Sequence, residues 1–116
     1  MSEIAFARAV IALRVGSIAT KARIPVVSSA QGKLASLAEK FETTIDKILE
    51  QGLKGKRFRD LDNSGNINIF TPRPDGRSGF LRITLDPRGD RVISAGLNKL
   101  RDVSRGIEKG RFQSLD

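Results

Sequence analysis

Residues 65–96 read GNINIFTPRPDGRSGFLRITLDPRGDRVISAG, and the alternation in this stretch decides the fold. Asn66–Thr71 alternates apolar with polar side chains, Pro74-Asp75-Gly76 supplies a turn, and Phe80–Asp86 alternates again. Pro87-Arg88-Gly89-Asp90 makes a tighter turn into Arg91–Ala95. Alternation with period two, punctuated by Pro, Gly and Asp, predicts three strands of a half-buried antiparallel meander. Leu81, Ile83 and Leu85 then share one face, and Phe80, Arg82, Thr84 and Asp86 the other. Neighbouring strands can add Asn68, Arg91 or Ser94 to that second face. The result is a polar, cationic platform suited to RNA.

Working outward, residues 29–51 place Leu34, Leu37, Ala38, Phe41, Ile45, Ile48 and Leu49 at spacings of three and four. That predicts one helix from Ser29 to Gln51 with a core-facing stripe, capped by Ser28 or Ser29 and ended by Gly52. Residues 1–28 read as an N-terminal helical segment, either a linker or the remnant of a preceding delivery region, with Pro25 ending its helix. Arg8 and Arg14 interrupt its apolar run, so it has neither the uncharged length of a membrane span nor the pattern of a signal peptide. Beyond the meander, Leu97, Leu100, Val103 and Ile107 mark a short helix with Arg101 and Arg105 on a different face. Gly110 stops it, and Arg111–Leu115 is free to add a strand or pack back on the sheet. Residues 29–116 are therefore expected to form an α+β domain, with helices packed on one face of a small twisted antiparallel sheet.

At 116 residues the chain can bury a core without disulfides or metals. It contains neither Cys nor His, which excludes thiol catalysis, histidine acid–base chemistry and the usual structural zinc sites. The net charge of +8 favours a polyanionic partner, nucleic acid before an anionic membrane surface. The charge is uneven. Residues 1–52 carry seven Lys/Arg against five Asp/Glu, whereas residues 53–116 carry fourteen against eight, ten of the fourteen being Arg. Arginine forks match phosphate oxygens better than lysine point charges do. Trp and Tyr are absent, so a multi-base stacking platform lacks its usual residues.

No nucleophile elbow, phosphate-binding glycine loop or metal-ligand cluster occurs in the sequence. Asp75, Asp86 and Asp90 sit beside turns and are expected to cap backbone amides there. One reaction nevertheless suits this inventory without cofactor or metal. RNA carries its own nucleophile, the 2′-hydroxyl, and cleavage needs a proton acceptor and cations around the charge that builds on the phosphorane. A lysine crowded by arginines has its charged form disfavoured and becomes a base. The candidate catalytic residues are Lys56, Arg59, Arg82, Thr84 and Ser94. The candidate RNA-binding residues are Lys54, Arg57, Asn68, Arg73, Arg77 and Arg91. Arg82 and Thr84 lead, because their strand has a clear buried face from which they point away. The same charge also fits a nucleic-acid-binding module without catalysis, or a protein that binds an acidic partner.

The run GFLRITLDPRGDRVISAG, with its following short helix and EKGRFQSL, resembles the end of bacterial polymorphic toxin domains of the barnase/EndoU/colicin/RelE ribonuclease superfamily. These include the C-terminal toxin domains of contact-dependent growth inhibition proteins. Val92-Ile93-Ser94-Ala95-Gly96 and Gly110-Arg111-Phe112-Gln113 match a colicin D-like ending, and the likeness covers about residues 53–115. The resemblance implies a metal-independent RNase, most often a tRNA-cleaving toxin, neutralised by a cognate immunity protein. That protein should be acidic if it covers a basic site. It also implies release from a secreted or cell-surface effector and action in the target bacterial cytoplasm; some relatives depend on elongation factor Tu. Several relatives use a catalytic histidine that this chain lacks.

Overall fold

A computed structural model describes residues 24–116; of the N-terminal helical segment expected over residues 1–28, residues 1–23 lie outside them. The meander forms as the alternation predicts, with β2 (Ile67–Pro72), β3 (Phe80–Leu85) and β4 (Val92–Asn98) paired antiparallel. The basic run before it forms a strand, β1 (Lys56–Asp60), and the tail adds β5 (Phe112–Ser114). The sheet order is β4-β3-β2-β1-β5. On the N-terminal side, Val26 bridges Val92 in parallel and is buried.

The predicted long helix is two: α1 (Ser28–Lys40) and α2 (Ile45–Gly52). The chain breaks at Glu42, which takes φ 53°, a left-handed conformation that ends a helix. Thr44 then restarts it, its side chain accepting a hydrogen bond from the Lys47 amide at 3.2 Å. The break leaves the apolar stripe intact. Leu34, Leu37, Ala38, Ile45, Ile48 and Leu49 are buried, with Phe41 half-buried against them. They pack on Ile67, Ile69, Leu81, Ile83, Leu85, Val92 and Ala95 of the sheet. Full burial of a Leu or Ile side chain stabilises by about 1.5–3 kcal/mol, so this face holds most of the fold together.

Two local readings are corrected. The cap of α1 falls at Val27, and neither Ser28 nor Ser29 closes it with a side chain. Gly52 does not end α2 by a positive φ. A Cβ there would lie 2.5 Å from Ile83 Cγ1, so glycine is required for the close approach of α2 to β3.

The third helix, α3 (Leu100–Glu108), lies on the opposite face of the sheet from α1 and α2, correcting the expectation that all helices share one face. Its Val103 joins Phe70 and Phe112, with Phe58 and Phe80 packed against them. Ring centroids lie 5.5 Å apart for Phe70–Phe112 and 5.9 Å for Phe70–Phe80. Gly106 allows the contact, since a Cβ there would sit 2.5 Å from the Phe112 ring. Only Val103 and Gly106 of α3 are buried; Leu100 and Ile107, expected on its core face, are exposed. Four aromatic rings thus seat α3 over one end of the second face.

Candidate functional site

The second face is built from cross-strand rows. Phe58, Asn68, Thr84 and Ser94 stand opposite one another across β1 to β4, and Lys56, Phe70, Arg82 and Gly96 form the next row. Strict alternation would put Val92 and Ser94 on the same face. A register shift between Thr84 and Leu85 makes Ile93 the extra residue, so Val92 enters the core while Ser94 faces the second side. The bulge therefore completes the polar face.

Between these strands and α3 lies a cleft of about 220 Å³, lined in part by Asp60, Asn68, Arg82, Thr84, Ser94, Asn98, Asp102 and Arg111. Its floor is a polar chain built on the buried Asp60, Asn68 and Thr84, with the exposed Arg111 at its end. Arg111 donates from Nε and Nη2 to the two carboxylate oxygens of Asp60 at 3.0 and 3.1 Å. Asn68 Nδ2 donates to Asp60 Oδ2 at 3.3 Å, and Thr84 Oγ1 donates to Asn68 Oδ1 at 2.8 Å. The Asp62 amide donates to Asp60 Oδ1 at 3.1 Å. Hydrogen bonding to Asp60 raises the Arg111 guanidinium above its usual value, and the bidentate bonds satisfy both groups. Asn68 and Thr84, both nearly buried, are positioned by the chain rather than free.

Arg82 differs. Its Nη1 donates to Asn98 Oδ1 at 3.1 Å and its Nη2 to Ser94 Oγ at a long 3.5 Å, while its buried Nε has no acceptor. Among the described residues no carboxylate ion-pairs with it. Burial pushes its pKa below the usual arginine value, and the charge of Asp60 opposes the shift. The guanidinium lies across Gly96, where a Cβ would come within 2.8 Å of Nη2. A cation held in a cleft with no carboxylate paired directly to it favours an anion at its free Nε.

Lys33, which sequence reasoning passed over, reaches from α1 to the edge strand and donates from Nζ to the same Ser94 Oγ at 3.2 Å. Two cations touching one oxygen stand no more than about 7 Å apart, a repulsion of roughly 0.6 kcal/mol in bulk water and a few-fold more near a protein surface. Asp102 was also missed. It lines the cleft from the first turn of α3, and no ion pair engages its carboxylate among the described residues.

Of the residues singled out from sequence, the fold gathers Asn68, Arg82, Thr84 and Ser94 in the cleft. Lys56 shares the face but stands two strands from Arg82, about 10 Å away, with Phe70 between them. Arg57 and Arg59 project to the other face, in register with Ile69 and Ile67. Arg59 Nη1 is taken up by the Gly65 and Pro87 carbonyls at 2.9 and 3.1 Å. Lys54 lies in the turn between α2 and β1. Arg73 is paired with Asp75 at 2.7 Å and sits 5.7 Å over the Phe41 ring, with Arg77 in the same turn. Arg91 pairs with Asp86 at 3.4 Å at the β3–β4 turn. Asp75 and Asp86 cap the Arg77 and Asp90 amides as expected; at Asp90 the bond comes from the backbone amide, not the carboxylate.

No helix among the described residues is long and apolar enough to cross a membrane. No family model, curated protein or solved structure matches the chain.

Proposed function

We propose that the chain is a metal-independent endoribonuclease that cleaves RNA, with tRNA the first candidate substrate, in the cleft between the sheet and α3. The observation that carries this reading is Arg82, a partly buried guanidinium with no carboxylate partner and an unpaired Nε, facing a polar cleft. In the reaction the ribose 2′-oxygen attacks the adjacent phosphorus and forms a new O–P bond. The bond from phosphorus to the 5′-oxygen breaks, and that oxygen takes a proton from solvent water, leaving a 2′,3′-cyclic phosphate and a 5′-hydroxyl. Arg82 stabilises the charge that grows on the phosphorane oxygens, where a fixed donor is worth more than in water. Asp102 takes the 2′-proton, because the other cleft carboxylate, Asp60, is held by Arg111. Thr84 and Asn68 keep the floor rigid beneath the phosphate.

The toxin-like ending over residues 92–96 and 110–113 supports a polymorphic-toxin role, with an acidic immunity protein covering the cleft and action in a bacterial cytoplasm. Expression without a partner in a bacterial cell tests this: growth arrest with fragmented tRNA is expected, relieved by Arg82→Ala. Normal growth with intact tRNA at full expression counts against it.

A non-catalytic nucleic-acid-binding module is the second reading, favoured by the engagement of the buried carboxylate Asp60 with Arg111. It predicts binding that weakens steeply with salt, and no cleavage.

A further inference from the structure

We infer that Lys33, Ser94 and Arg82 form a phosphate-binding site beside β4, and that it seats a backbone phosphate of the substrate. The second half of this statement rests on the ribonuclease reading; the first does not. Ser94 Oγ accepts from Lys33 Nζ at 3.2 Å and from Arg82 Nη2 at 3.5 Å. A hydroxyl has two acceptor lone pairs and one proton. With both lone pairs facing N–H donors, Ser94 is left as a donor, and no acceptor for its proton exists among the described residues. Two cations and a committed O–H donor therefore converge on one place, and neither cation has a carboxylate partner among the described residues. A cationic ligand is repelled by such a set, and a neutral acceptor gains less from it than an anion does. A tetrahedral oxyanion accepts from all three and relieves the repulsion between Lys33 and Arg82.

The site also assigns Ser94 a role. Its oxygen is turned toward cations, so Ser94 acts on a substrate oxygen as a hydrogen-bond donor and not as a nucleophile. Bulging of Ile93 is what places it there, since an unbulged β4 would send Ser94 into the core face beside Val92. Lys33 lies on α1 and Arg82 on β3, so an RNA strand bound here crosses the edge strand and enters the cleft from the β4 side.

Titration of the full chain with inorganic phosphate, followed by amide and side-chain NMR, tests the site. Saturable shifts at Ser94 and at Arg82 Nε are expected. Lys33→Gln or Ser94→Ala should weaken binding about tenfold or more, the loss of one charge-assisted hydrogen bond, while Lys33→Arg retains it and Lys47→Gln, on the exposed side of α2, leaves it unchanged. A DNA trinucleotide, which has the diester but no 2′-hydroxyl, should shift the same resonances, whereas phosphatidylglycerol vesicles should not sediment the chain. Absence of shifts at Ser94 and Arg82, or equal affinity in a folded Lys33→Gln variant, overturns the site. Vesicle binding that depends on Lys33 overturns its assignment to a nucleic-acid phosphate. RNA cleavage, scored on the same proteins, separates the two ideas. Phosphate binding without cleavage upholds the site and removes the ribonuclease reading, and cleavage without phosphate binding does the reverse.

Discussion

Removing Arg111 strips the counter-charge from a carboxylate that is 2% exposed, and the cost can be worked from its neighbours. Asp60 accepts four hydrogen bonds, two of them from Arg111. In Arg111→Ala the Asn68 side chain and the Asp62 amide remain, so the carboxylate is partly satisfied but no longer neutralised. Breaking a fully buried pair by deleting one partner costs about 3–5 kcal/mol; here Arg111 is nearly half exposed and two donors survive, which places this case near ~2 kcal/mol. Loss of the Arg111 guanidinium over the Phe112 ring, 5.0 Å from its centroid, adds about 0.5 kcal/mol. Against a typical domain stability of about 5–15 kcal/mol the loss is large, and a Tm drop of about 10 °C follows for a chain of this size. Adding Asp60→Asn to Arg111→Ala removes the stranded charge and should recover about 1 kcal/mol. Urea unfolding followed by far-UV circular dichroism measures both. Refutation is an Arg111→Ala variant within about 0.5 kcal/mol of wild type, or a double variant less stable than the single one; either means that Asp60 does not depend on Arg111.

Other expectations follow from the same geometry. Gly96→Ala puts a Cβ where Arg82 Nη2 lies, 2.8 Å away, so the guanidinium must swing off Ser94 and Asn98; RNA cleavage should fall by about tenfold or more while Tm moves by only a few degrees. Phe70→Ala empties the centre of the aromatic cluster that seats α3 and should cost about 3–5 kcal/mol in urea unfolding. Gly52→Ala forces α2 away from Ile83 and should cost about 1–3 kcal/mol, unlike Gly32→Ala, which meets open space. The hydrogen bond from Arg73 lowers the Asp75 carboxyl to about 2. Because that lies below the unfolded value near 3.9, the contribution of Asp75 is present above about pH 4 and is lost as pH falls through about 2. Carboxyl NMR should show this titration directly, and Asp75→Asn should flatten the stability profile in that window.

Much of the fold was legible because the alternation of Leu81, Ile83 and Leu85 and the stripe from Leu34 to Leu49 each state a periodicity without ambiguity. The break at Glu42 was not, since a hydrophobic stripe at spacings of three and four runs through it. Thr44 followed by Asp46 was the available signal, a capping residue ahead of an acidic first turn. The strand β1 hid in a basic run whose only large apolar residue is Phe58, and its pairing with β2 had to override its composition. In the cleft, Arg82 and Thr84 were readable from their own strand. Lys33 was not, because it meets Ser94 only through the packing of α1 across β4, 61 residues away in sequence. The same holds for Asp60 and Arg111, 51 residues apart. The bulge at Ile93 was equally hidden, as Val-Ile-Ser-Ala also reads as plain alternation.

The central claim is tested most directly by incubating the purified chain with total tRNA in EDTA, with and without cytosolic extract, and resolving the products on a denaturing gel. The account predicts discrete fragments ending in 2′,3′-cyclic phosphate, lost in Arg82→Ala and strongly reduced in Asp102→Asn. Intact tRNA under both conditions, or fragments formed equally by Arg82→Ala, would contradict it.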